Sequence, residues 1–86
     1  MEDEVIRIEL DDELDLHPFH PQDVKGILLE FIQMALAKDI KRIRIAHGKG
    51  KSAIKGVVIR ILQSNDNVIS FHDEPGNWGA TIAFLR

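Results

Sequence analysis

Cysteine is absent from the sequence, which excludes disulfide bridges, thiolate metal ligands and a cysteine nucleophile. Long apolar runs are absent too, since none approaches the ~18 residues that a membrane-spanning helix requires. The N-terminus, Met1-Glu2-Asp3-Glu4, is acidic and lacks the basic and apolar regions of a secretory signal. We therefore expect a cytoplasmic protein with no membrane partner.

The chain is short, but its composition is that of a folded protein. Its 86 residues allow one domain, and 44% hydrophobic with 29% charged residues is ordinary for a globular protein and atypical of a disordered one. A domain of this size buries only about 60% of the surface of its unfolded chain, so we expect a small core.

Charge is distributed unevenly along the chain, although the net charge is only −3. Residues 1–15 carry eight acids and one base, whereas residues 38–60 carry eight bases and one acid. The bases are Lys38, Lys41, Arg42, Arg44, Lys49, Lys51, Lys55 and Arg60. This asymmetry suggests a patch that faces a polyanion, and the alternative is a solvated surface whose two ends attract one another.

The spacing of apolar residues predicts the helices and strands. Val5–Leu10 alternates in part, as in a short strand or arm, so we divide the chain into an acidic arm or strand, 1–13, and a domain, 14–86. In the domain we predict a strand at Leu14–Leu16, then a helix whose apolar residues from Val24 to Leu36 follow helical spacing. The remaining predicted elements are a strand at Ile43–Ala46, a helix over Ile54–Leu62, a strand at Val68–Phe71, a loop at Glu74–Gly79 and a strand at Ala80–Leu85.

The order β-α-β-α-β-β predicts an α/β (α+β) sandwich: a mixed four-stranded sheet with two helices, plus an additional strand if the N-terminal segment pairs. Parallel strands joined by a helix carry ligands beyond their carboxyl ends. His17 and His47 each follow such an end, so we expect them at one edge of the sheet, facing one cleft. Imidazole titrates near neutral pH, and Asp15 is placed either to orient one of these rings or to be a solvated carboxylate.

A glycine-rich stretch, Gly48-Lys49-Gly50-Lys51-Ser52, stands between the second strand and the second helix. It is not a P-loop, because that motif requires glycine where Ile45 stands. Backbone N–H groups in such a loop and at the helix start can still bind an anion, with Lys49 and Lys51 adding charge. The alternative is a simple strand-to-helix turn.

The other candidate residues give weaker signals. We interpret His20 and His72 as surface or capping residues, and no stringent metal-ligand spacing is present, so the cofactor stays unknown, with a divalent metal only weakly suggested. Trp78, the only tryptophan, lies in a glycine-containing loop. Its ring either stacks on an exposed base or caps the edge of the sheet.

Three segments together resemble the signatures of the Smr (small MutS-related) domain family, in that family's order. They are Leu14-Asp15-Leu16-His17, His47-Gly48-Lys49-Gly50 and Gly76–Thr81. The resemblance implies a βαβαββ sandwich, binding of DNA or RNA, and endonuclease activity, often nicking, in several members. The family's functional positions map to Asp15 and His17 and to His47–Gly50. One departure is Pro18, which stands where the family's first motif usually continues with glycine.

Three functions remain open. The first is a nuclease in which Asp15, His17 and His47 are catalytic. The second is a nucleic-acid-binding module without catalysis, and the third is a protein-interaction role for the acidic arm. The predicted nucleic-acid contacts are Arg44, Gly48, Lys49, Gly50, Lys51, Lys55 and Trp78. The sequence does not predict an oligomeric state.

Overall fold

Two helices and four strands follow one another in the predicted order. The computed structural model describes residues 12–49 and 53–86. The elements are β1 (Asp12–Asp15), α1 (Pro21–Ala37), β2 (Arg42–Ala46), α2 (Ala53–Ser64), β3 (Val68–Glu74) and β4 (Asn77–Leu85). Both the fold class and the element order predicted from the sequence are confirmed.

The apolar stripe of α1 forms the inner face of the helix, as its spacing predicts. Its fully buried members are Val24, Leu28, Ile32 and Ala35. Each of the three larger side chains, Val24, Leu28 and Ile32, contributes about 1.5–3 kcal/mol relative to an exposed one. Pro21 fits the first turn, where a helix has no partner for its N–H groups. Shortly after α1 ends, Asp39 takes a left-handed φ of 60°, which aspartate tolerates.

The sheet has the strand order β1-β2-β4-β3. β1 and β2 are parallel, and β4 is antiparallel to both of its neighbours. The crossovers from β1 to β2 and from β2 to β3 run in the same direction, so right-handed connections place α1 and α2 on the same face. The core lies between this helical layer and the sheet, and the sheet contributes alternate residues such as Ile43, Ile45 and Ala83.

The boundaries of the predicted strands require correction. β1 begins at Asp12 and ends at Asp15, although the Leu16 N–H still donates to the Ala46 carbonyl at 2.7 Å. The prediction of a loop at Glu74–Gly79 is wrong, because β3 continues to Glu74 and β4 begins at Asn77. Pairing of Glu74 with Asn77 leaves a two-residue turn, in which Gly76 has a φ of +76°.

Most of the predicted N-terminal arm or strand lies outside the described residues, which begin at Asp12. Of that segment, only residues 12 and 13 are described, and both belong to β1. In the described ranges no helix has the length and apolar character that crossing a membrane requires.

Candidate functional site

Parallel pairing of β1 and β2 brings the first two sequence motifs to one edge of the sheet. Asp15 pairs with Ala46, so the residues that follow each strand lie at the same edge. The motifs approach each other closely here, since a Cβ built on Gly48 would lie 3.5 Å from the Cβ of His17. His17 and Gly48 are therefore neighbours across the ends of the two strands.

Asp15 and His17 form a hydrogen-bonded pair at this edge. The Oδ1 atom of Asp15 lies 2.7 Å from His17 Nδ1 and also accepts the backbone N–H of His17 at 3.1 Å. These bonds to His17, above all the one from its side chain, lower the pKa of the Asp15 carboxyl. The side chains are 59% and 65% exposed, so the pair is open to a ligand.

The imidazole of His17 has a defined orientation. A carboxylate can only accept, so the hydrogen between the two residues is carried by His17 Nδ1. The Nε2 atom is then unprotonated in the neutral ring and can take a proton from a bound group. The adjacent Pro18 does not prevent this arrangement, because it lies in a turn that the Phe19 N–H closes on the Leu16 carbonyl at 3.0 Å.

His47 follows β2 at the same edge, but its ring is buried. The residue is only 3% exposed, and its Nε2 atom lies 2.8 Å from the hydroxyl of Thr81, which is itself fully buried. Burial is the main cause that lowers the pKa of His47, and the positive charge of Lys55 acts in the same direction. The neutral form is therefore favoured in the folded protein. The candidate pair His17 and His47 thus consists of one exposed ring and one buried ring.

The glycine loop is held against β4 through Gly79. The N–H groups of His47 and Gly48 both donate to the Gly79 carbonyl at 2.9 Å. A Cβ on Gly79 would lie 2.8 Å from Lys49 Cγ and 3.2 Å from the Gly48 carbonyl carbon, so no larger residue fits without displacing the loop. These two amides are already bonded and are therefore not free to bind an anion.

The predicted basic contacts differ in their pairing. Arg44 makes a bidentate ion pair with Glu74 at 2.8 and 2.9 Å, and this pair lowers the pKa of Glu74 to about 2. Lys55 contacts Asp73 at 3.1 Å. Lys49 is exposed and forms no ion pair with a described residue. Gly50 and Lys51 lie outside the described residues.

Sequence reasoning assigned no role to Thr81, Gly79 or the two β3 acids, Asp73 and Glu74. Thr81 and Gly79 fall within the Gly76–Thr81 segment that was recognised only as a signature. Nothing in the pattern indicated which strand would lie beside β2. In residues 12–49 and 53–86 no group of three histidine or carboxylate side chains is arranged to hold a metal ion.

Comparison with known proteins gives one consistent result. A model of the Smr domain family matches residues 14–86. The ribosome rescue factor SmrB of Aeromonas hydrophila is 32% identical over 72 residues, which cover 84% of this chain and 41% of SmrB. Endonuclease MutS2 of Staphylococcus carnosus is 30% identical over 77 residues, which cover 86% of this chain and 10% of MutS2. The chain therefore spans less than half of either relative.

Two solved structures share the fold. The crystal structure of the Smr domain of Thermus thermophilus MutS2 superposes with a TM-score of 0.83 at 28% identity, covering 87% of this chain and 98% of that domain. YdaL, a stand-alone small MutS-related protein from Escherichia coli, superposes with a TM-score of 0.81 at 29% identity, covering 86% of this chain and 63% of YdaL. Both superpositions include most of the described residues.

Proposed function

The chain belongs to the Smr domain family, and from that premise we propose that it binds a nucleic-acid phosphodiester beside Asp15 and His17 and cleaves it. The observation that carries this proposal is the exposed carboxylate–imidazole pair, 2.7 Å between atoms, next to the Gly48–Lys49 loop. An oriented imidazole can act as a general base, and a lysine in the adjoining loop attracts a phosphate. Relatives named as an endonuclease and as a ribosome rescue factor support a nucleic-acid substrate.

His17 is the catalytic base in this proposal, and Asp15 is its positioning residue. Asp15 fixes the ring through its bond to Nδ1 and stabilises the imidazolium that forms when Nε2 takes a proton. His47 is a positioning residue as well, because its buried ring bonds Thr81 and thereby holds the start of the glycine loop. Lys49, the residue after Gly48, is proposed to offset the charge that develops on the phosphate.

RNA suits this arrangement because it supplies its own nucleophile. His17 Nε2 takes the proton of a 2′-hydroxyl, the 2′-oxygen bonds to phosphorus, and the bond from phosphorus to the 5′-oxygen breaks. The leaving oxygen takes a proton from water, and the products are a 2′,3′-cyclic phosphate and a 5′-hydroxyl. Cleavage of DNA by the same pair requires water as the nucleophile.

The test compares labelled RNA, the same RNA with one 2′-deoxy position, and DNA of the same sequence, each with and without chelator. We expect His17→Ala to lower cleavage by about 10²–10⁴-fold. His72→Ala is the matched control. His72 is also exposed, but it lies on β3, the outermost strand on the side of the sheet opposite β1. Equal cleavage by wild type and His17→Ala would remove His17 from the mechanism.

A second candidate is a binding module without catalysis. It is favoured by the burial of His47, because a buried ring bonded to Thr81 is not exposed to donate a proton to the leaving oxygen. In that case the affinity for single strands falls with salt, by about 0.7 in log K per log unit of salt for each phosphate contacted. Salt-dependent binding with no cleavage of any of the three strands would identify this function.

A further inference from the structure

Trp78 is an exposed aromatic residue on β4, the strand that packs against the glycine loop. Its side chain is 53% exposed, although tryptophan is on average one of the most buried residues. The residue is the second of β4 and stands one position before Gly79, which packs on the Gly48–Lys49 loop. The path from Trp78 to His17 is therefore short: Gly79, the next residue, contacts Gly48, and Gly48 lies beside His17.

The hairpin end that carries Trp78 is braced on several sides. Asn77 Oδ1 accepts the Gly79 N–H at 3.0 Å, and Asn77 Nδ2 donates to Glu74 at 3.0 Å. Glu74 is held in turn by the bidentate bond from Arg44, which spans β4 because that strand lies between β2 and β3. The Lys55 ammonium lies 3.5 Å from the Trp78 carbonyl oxygen. An aromatic ring on a fixed backbone loses little conformational entropy when it binds a flat partner.

Two lysines lie against the backbone of this segment. Lys49 Cγ packs against Gly79, and Lys55 reaches the Trp78 carbonyl from α2. A chain of phosphates that contacts both lysines would therefore run along the backbone of residues 78 and 79. The indole ring has a flat apolar face about as large as a nucleic-acid base.

We propose that Trp78 stacks on an unpaired base of the strand whose phosphate lies at the Asp15–His17 pair, so that this chain selects single-stranded over duplex nucleic acid. The inference rests on the proposed phosphate site. Within a duplex both faces of a base are covered by its neighbours, so stacking on Trp78 requires a base that is already free or is turned out. The chemistry is common to RNA and DNA, because every base has a stacking face.

The experiment uses the full chain, in which Trp78 is the only tryptophan and therefore the only source of indole fluorescence. Four probes of equal length are titrated: single-stranded RNA, single-stranded DNA, a blunt duplex, and an abasic strand that keeps the phosphates. Stacking predicts quenching by the two single strands and none by the abasic strand or the duplex. Affinity for the single strands, measured by anisotropy of a label on the probe, gives the second readout.

Variants separate stacking from simple loss of surface. Trp78→Ala should weaken single-strand binding by about 5- to 150-fold, and Trp78→Phe should weaken it less. Neither change should alter the salt dependence or the affinity for the abasic strand. Ile69→Ala is the control, because Ile69 is 64% exposed on β3 but is not aromatic.

Two results would overturn the proposal, and they differ in what they leave standing. If the abasic strand binds as tightly as the base-bearing strands, and Trp78→Ala binds like wild type, stacking is wrong while the phosphate site survives. If none of the four probes binds, both stacking and the proposed function fail.

Discussion

His17 and His47 lie one register position apart at the ends of neighbouring parallel strands, and their environments are opposite. Each follows a strand, the two strands are parallel neighbours, and both residues lie at one edge of the sheet. His17 is exposed and bonded to a carboxylate two residues away. His47 is buried and bonded to a hydroxyl 34 residues away. His17 can therefore contact a ligand, whereas His47 holds the glycine loop in place.

The largest effect expected from this contrast is on stability. His47→Ala leaves the buried Thr81 hydroxyl without its partner and opens a cavity, so we expect a loss of about 2–4 kcal/mol in unfolding free energy. His17→Ala, at the surface, should change it by less than about 0.5 kcal/mol. Urea denaturation of both variants measures the difference.

A conservative change at the same position checks the cause of that loss. His47→Gln keeps a polar group near Thr81, so it should lose less stability than His47→Ala. If His17→Ala and His47→Ala were equally destabilising, the two histidines would not differ in the way that the structure indicates.

The contrast also shows which parts of the site were predictable. The Asp15–His17 pair is a contact between residues two apart, so the sequence suggested it without a tertiary structure. The bond from His47 to Thr81 depends on β4 lying beside β2, and no local pattern specifies that neighbour. One signal was present: Ile43, Ile45 and His47 alternate along one face, and that face is the core.

The fold was more predictable than the site, because apolar periodicity reports burial directly. The spacing in α1 identified the residues that are buried there. The β3–β4 hairpin was placed incorrectly at its tip, since Glu74, Asn77 and Trp78 have no alternating apolar pattern. Their strand conformation comes from cross-strand pairing and from the Arg44–Glu74 ion pair, both of which are long-range.

Asp15→Asn sharpens the comparison on the side of catalysis. The amide has the shape of the carboxylate but no charge to stabilise the imidazolium, so we expect turnover to fall by about 10²-fold. This loss should be smaller than that in His17→Ala, because Asp15→Asn keeps the imidazole ring. The denaturation midpoint should stay close to that of wild type, because both side chains are exposed. Wild-type turnover in Asp15→Asn would show that the carboxylate has no part in the reaction.

A smaller effect on stability is expected at Gly48, which follows His47 in the chain and lies beside His17. Gly48 has a φ of +87°, so alanine there costs about 1–2 kcal/mol from the backbone alone. The added Cβ meets His17 Cβ at an ordinary 3.5 Å, so packing adds little. Gly26→Ala is the control, because Gly26 is in α1 with no atom within 4 Å of an added Cβ, and alanine there should raise stability by about 0.5–1 kcal/mol. Loss of stability in both variants would point to a general intolerance of alanine instead of the special backbone at Gly48.

The smallest effect is a pH dependence that belongs to His47. Burial lowers its pKa in the folded chain, so as pH falls below the ordinary histidine value of about 6.5 the unfolded state binds a proton that the folded state resists. Stability therefore decreases as pH falls through this range, by at most about 1.4 kcal/mol per pH unit, until the folded pKa is reached. The lowered pKa of Glu74 also makes stability decrease as pH falls, but this effect begins only below the ordinary glutamate value of about 4.5.

Urea midpoints measured between about pH 7.5 and 5 should decline in wild type and in His17→Ala and stay nearly level in His47→Gln. A decline that persisted in His47→Gln would assign the proton to another group and remove the main electrostatic difference between the two rings.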